Sequence, residues 1–311
     1  MRGVDVEDVY IGNGVSELIN LSMSALLDDG DEILIPSPDY PLWTACATLA
    51  GGKAVHYLCD EQADWYPDLA DIRKKITRHT KAIVIINPNN PTGSYVKASE
   101  REAIVRLCHD HEVAIIADEV FYDYDLEPFD GNARLAGEKG ALTFALDGFS
   151  KTLAAPHAKV GWIQVSGPDE DVTEAQRRLD VIADDYLPMS DIIAERIPAL
   201  LNAAPAQTRR VGERVRNNLA KLHELLDADP NGLVSVLRAE GGWNVLLRVP
   251  SVIDENELVL RLIDEHKLTG QPGYFFDMTS NGYLAVSLLP EPDEFERGIR
   301  AVLNTVAALL R

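Results

Sequence analysis

The chain is 311 residues long, which accommodates one large α/β domain with a smaller appendage, or two domains. Its 46% apolar and 25% charged content is ordinary for a globular protein, and a formal net charge of -21 argues against nucleic acid or an anionic membrane surface as bulk electrostatic partners. The cysteines (Cys46, Cys59 and Cys108) have no paired or metal-like spacing, no apolar run is of bilayer length and no signal peptide opens the chain, so a reduced cytoplasmic setting is expected.

In chain order, short β-branched runs predict strands at 9–12, 32–36, 53–57, 81–86, 113–117, 142–147 and 160–165. Amphipathic segments such as "SELINLSMSALLDDG" and "KASEREAIVRLCHDHE" lie between them. Strands alternating with helices predict a doubly wound, mostly parallel seven-stranded sheet covered on both faces, with ligands bound at the carboxyl ends of the strands. After residue 170 long helices take over, including "AQTRRVGERVRNNLAKLHELLDA". Then "GGWNVLLRVP", "NELVLRLIDEH", "YLAVSLLP" and "DEFERGIRAVLNTVAALLR" read as a smaller C-terminal α+β domain. The expected division is 1–190 for a large domain and 191–311 for the small one.

Several strand-end features carry chemistry. "GNGVSEL" opens a helix after the first strand; by itself it is as well read as a tight turn as a phosphate site. "NPNNPTG", at 87–93, follows a buried strand and concentrates turn formers, so a plain loop also accounts for it. In "AIIADEV" the acid Asp118 ends an apolar strand, where it needs a cation or strong donor, or else caps a helix. In "ALDGFSKTLAAPHAKVGW" Lys151 stands just after another strand. An acid and a lysine at the ends of parallel strands converge on one sheet edge, an arrangement suited to pyridoxal phosphate. The lysine forms a Schiff base with the aldehyde, and the carboxylate keeps the pyridine nitrogen protonated.

"SPDYPLW", "NPNNPTG", "ADEV" and "GFSK…GW", in this order, resemble the class I/II aminotransferases of the fold-type I pyridoxal-phosphate superfamily, across almost the whole chain. Up to "NPNNPTG" the chain is most similar to the alanine-aminotransferase branch; later segments such as "KVGWIQVSGP" resemble a different branch, as in a mosaic. The resemblance implies that Lys151 is the catalytic, cofactor-bound lysine and Asp118 the partner of the pyridinium nitrogen. It further implies that Asn90 bonds the ring's phenolic oxygen, Tyr40 stacks on the ring, and Gly14, Val15 and Ser16 bind the phosphate. The implied activity is transfer of an amino group between an amino acid, alanine in first place, and a 2-oxo acid, by a homodimer. No metal is implied.

The departures from the family pattern are specific. Phe121 replaces the usual tyrosine, leaving Tyr122 or Tyr124 to supply its hydroxyl. Lys159 replaces the phosphate-binding arginine, and Ala285 stands where an arginine would clamp the substrate carboxylate, with Arg248 a candidate substitute. The family's N-terminal arm is not expected, since about a dozen residues precede the "GNG" turn. Two other readings stay open: a C-S β-lyase built on the same lysine and aspartate, and a catalytically impaired scaffold of the same fold.

Overall fold

The computed structural model describes residues 5–311; residues 1–4, which open the expected first domain, lie outside the described residues. The strands of the main sheet are β1 (Val9–Gly12), β2 (Glu32–Ser37), β3 (Lys53–Asp60), β4 (Tyr66–Pro67), β5 (Thr80–Ile86), β6 (Ala114–Asp118), β7 (Thr143–Gly148) and β8 (Gly161–Ser166). They run in the order β1-β8-β7-β6-β5-β2-β3-β4. β3, β2, β5, β6 and β7 are mutually parallel, while β8 is antiparallel to β7 and to β1. All the expected strands are present. The added eighth strand is the two-residue β4, too short to leave a periodic signal, which pairs with the end of β3.

Alternation along the parallel strands explains the two-sided cover. In β2, β5 and β6, the residues Ile33, Ile35, Val84 and Ile116 enter one core, and Leu34, Ile83, Ile85 and Ile115 enter the other. The first core is closed by α1 (Val15–Leu26), α2 (Leu42–Leu49) and α6 (Asp169–Tyr186). The second is closed by α3 (Leu69–Lys75) and α4 (Ala98–Asp110). Each buried aliphatic contributes about 2 kcal/mol.

A short helix α5 (Phe149–Thr152) follows β7 and carries Lys151. Beyond α6 come α7 (Asp191–Ala194) and the 31-residue α8 (Ile197–Asp227). The second sheet is antiparallel in the order β11-β12-β10-β9, from β9 (Ser235–Val236), β10 (Asn244–Arg248), β11 (Gln271–Pro272) and β12 (Tyr283–Ser287). α9 (Glu255–His266) and α10 (Pro292–Leu309) pack on it around Val245, Leu247, Leu258, Phe295 and Val302.

Two contacts set the site. In register, Gly12 pairs with Gly161, and Gly161 with Gly148, so β1 and β7 end and β8 begins in a row of glycines. A Cβ on Gly161 would stand 3.0 Å from the Val15 amide nitrogen, so only bare backbone lets α1 begin directly on the sheet edge. The 87–93 loop is fixed against the small sheet: Gly241 and Glu240 amides both donate to the Gly93 carbonyl. A Cβ on Gly93 would meet the Gly241 carbonyl at 2.7 Å, and its φ of +74° also suits glycine.

Candidate active site

Lys151 and Asp118 meet at the carboxyl edge of the sheet, as the strand-end reading requires. The Lys151 ammonium lies 5.1 Å from the centre of the Phe121 ring and 5.4 Å from that of Trp243. Removal from water pushes its pKa down, against the pull of the Asp118 charge. Burial raises the Asp118 carboxyl to about 6, opposed by the Val120 amide, which donates at 3.2 Å, and by Lys151. The two make no ion pair among the described residues, although the Lys151 charge is close enough to act on the Asp118 carboxyl. Lys151 is anchored from behind: the buried Tyr124 hydroxyl donates to its carbonyl at 2.6 Å.

That bond answers where the hydroxyl missing at Phe121 could come from. Tyr124 is committed to the Lys151 carbonyl, and Tyr122 stacks its ring under Arg134 at 4.1 Å. Neither replaces a tyrosine at 121. In its place the Phe121 ring, edge-on to Trp243 at 5.3 Å, forms an apolar wall beside the lysine.

An uncapped helix start and a lysine close the same edge. α1 starts without a side-chain cap at Gly14, whose φ is 88°, so its first amides face outward at the positive end of the helix. Lys159, in left-handed backbone conformation at φ 51°, brings its Nζ to 3.6 Å from where a Gly14 Cβ would be. It has no acidic partner among the described residues. Val15 stands half-buried and Ser16 exposed at the helix start. The nearest acid, Glu17, is held by Asn13 through backbone and side chain at 3.0 and 3.2 Å. Gly14, Val15, Ser16 and Lys159 are thus brought together.

In the 87–93 loop the asparagines divide their work. Asn87 and Asn89 bond within the loop region, to Glu119, Val96, Thr92 and Pro38. Asn90 instead accepts at Oδ1 from Asn244 Nδ2 at 3.1 Å, which leaves its own NH2 group as a donor. Asn244 and Trp243 went unsuspected in the sequence. Both lie in "GGWNVLLR", where nothing but the loop docking of Gly93 on Gly241 reveals their position. Tyr40 stands 43% exposed on the loop after β2, with its ring open to a stacking partner.

Arg248 is not brought to this site. Its guanidinium pairs with Glu61 and lies 4.2 Å over the Tyr283 ring, while Tyr283 donates to the same Glu61 at 2.6 Å. It is four residues from Asn244, roughly 13 Å along β10. Ala285 is buried opposite Leu246 in β12, within an apolar cluster.

Comparison with known proteins places the fold in a family. The model of the family "Aminotransferase class I and II" matches residues 3–302. Glutamate-pyruvate aminotransferase AlaA of Escherichia coli is 37% identical over 305 residues, 95% of this chain and 74% of that protein. Alanine aminotransferase of Mycobacterium tuberculosis is 37% identical over 309 residues, 96% of this chain and 71% of that one. The crystal structure of an aminotransferase from Escherichia coli matches with a TM-score of 0.88 at 35% identity, over 100% of this chain and 78% of the other. Sharing this fold and similarity over nearly its whole length, the chain belongs to the class I and II aminotransferases.

Proposed function

We propose that the chain is a pyridoxal 5'-phosphate-dependent aminotransferase that moves an amino group between alanine and a 2-oxo acid, with Lys151 as its catalytic residue. The observation that carries this is the convergence of Lys151 and Asp118 beside a cradle of α1 amides and Lys159. The donor set fits the cofactor: a cationic, amide-rich pocket for a phosphate, a strand-end carboxylate for a ring N–H, and an amine on a short helix. When bound, the cofactor supplies an aldehyde that condenses with amines and a ring that accepts the electron pair left on a deprotonated carbon.

The chain's residues divide the remaining work. Lys159 and the amides of Val15 and Ser16 hold the phosphate, and Gly14 keeps space for it. Asp118 holds the proton on the ring nitrogen, and Asn90, oriented by Asn244, donates to the ring oxygen. Tyr40 covers a ring face. Phe121 and Trp243 exclude water from around Lys151, which favours its neutral form, the form able to take and return the proton on the substrate's α-carbon. In this proposal residues 1–190 hold the cofactor and 191–311 close over it. The working unit is a cytoplasmic homodimer, for which the exposed apolar side chains Val181, Leu187 and Ile192 offer a surface. Among the described residues no helix is long and apolar enough to cross a membrane.

The names of the relatives support alanine, with pyruvate and glutamate as the exchanged pair. The test is transfer itself. With cofactor and alanine, pyruvate should form in an amount equal to the enzyme, and continuously once 2-oxoglutarate is added. Sustained pyruvate from a β-substituted amino acid without any acceptor would instead identify a β-lyase.

A further inference from the structure

Away from Lys151, one cluster of side chains lacks the partners that its burial demands. Asp39 is completely buried, and neither of its carboxylate oxygens has a hydrogen-bond partner among the described residues. The same holds for Nδ1 of His56, on β3. Such groups are costly to leave unpaired. Asp277 completes the cluster: one oxygen from each carboxylate and one ring nitrogen of His56 lie within 4.8 Å of one another.

The backbone holds these groups opposite each other. The Asp39 amide donates to the Phe276 carbonyl at 3.1 Å, and the Ser37 hydroxyl to the Asp277 carbonyl at 2.9 Å. His56 Nε2 lies 3.4 Å from the Thr44 hydroxyl, which orients the ring and leaves Nδ1 for another partner. A proton shared between the two carboxyl groups would put an oxygen of Asp39 within hydrogen-bond distance of Asp277, and neither Asp39 oxygen has such a contact. A cation resolves all three groups. Ligand atoms ~2.1 Å from a common ion stand roughly 3–4 Å apart, so small side-chain adjustments close this cluster around one. Two carboxylates with an imidazole suit a divalent first-row ion, and the exposed side of Asp277 admits water to complete its shell.

We propose that Asp39, His56 and Asp277 form a binding site for one divalent cation of the Zn2+ or Mn2+ class, joining the loop after β2 and the middle of β3 to the 273–277 turn. Asp39 precedes Tyr40, so a bound ion also fixes the loop that carries that ring.

The full-length chain, stripped with EDTA, is titrated with ZnCl2 by calorimetry and followed by thermal unfolding. Parent protein binds one equivalent and gains thermal stability. Asp277→Asn, at an exposed position, and His56→Gln each weaken binding by about tenfold or more while keeping the parent's circular dichroism. Asp39→Asn is a less secure probe because its site is fully buried. Absence of Zn2+ binding by the parent overturns the site, and so does equal binding by both variants.

Discussion

Lys159 leans over Gly14, its ammonium 3.6 Å from where a methyl group on that glycine would be. A cation without an acidic partner beside the uncapped start of a twelve-residue helix is a charge arrangement for binding an anion. Lys159→Ala should weaken pyridoxal phosphate binding about 10- to 100-fold in a fluorescence titration. Lys159→Arg should bind at least as well as the parent, since a guanidinium adds a second donor. Gly14→Ala, forced to φ near 88°, should cost about 1–3 kcal/mol in urea unfolding.

Asn244 acts through Asn90, so it is a positioning residue. Asn244→Ala should lower kcat about 2- to 10-fold with little change in the urea midpoint. Asn244→Gln, longer by one methylene, should not rescue it. A fall in the midpoint matching the loss of rate would make the bond merely structural. The spectrum of bound cofactor should shift in the variant, because the ring oxygen loses an oriented donor.

Arg248→Ala should leave the KM for the amino acid unchanged and cost about 1 kcal/mol of stability or less. The side chain is partly exposed and occupied by Glu61 and Tyr283. A tenfold rise in KM would place Arg248 at the substrate, against this geometry.

Asp147 makes stability depend on pH. Removal from water raises its carboxyl from 3.8 to about 7, opposed by the Gly148 amide at 2.7 Å and by Arg134. Between those values the folded chain keeps a proton that the unfolded chain has lost, so stability falls as pH rises through the window. Asp147→Asn retains the Gly148 and Thr152 contacts. It should match the parent near pH 4 and exceed it progressively above, by a few kcal/mol at most, at about 1.4 kcal/mol per pKa unit. Melting temperatures across pH check this; a constant offset would contradict it.

Much of this was legible before any coordinates. The expected strands correspond to observed ones chiefly because the parallel strands β2, β5, β6 and β7 contain buried apolar runs, as strands covered on both faces do. Lys151 and Asp118 stood out because a charge at or just past the end of an apolar strand is conspicuous, whereas Lys159 came only from the family resemblance. Asn244 and Trp243 were not, since their approach to Asn90 and Lys151 depends on the 87–93 loop docking on a strand some 150 residues later. Arg248 misled for a related reason: its partner Glu61 is 187 residues away, and no local pattern announces the pair. The fate of Tyr124, spent on a carbonyl, was equally invisible, because main-chain acceptors carry no sequence signature.

The central claim is that Lys151 binds the cofactor. Purified parent chain and Lys151→Ala, each mixed with pyridoxal phosphate, are compared by visible absorption before and after alanine is added; separate portions not given alanine are reduced with borohydride and compared by peptide mass. The account predicts an absorption band in the parent that alanine bleaches, and a cofactor adduct on the peptide holding Lys151, both absent from the variant. An adduct on another lysine, or equal bands in parent and variant, would contradict it.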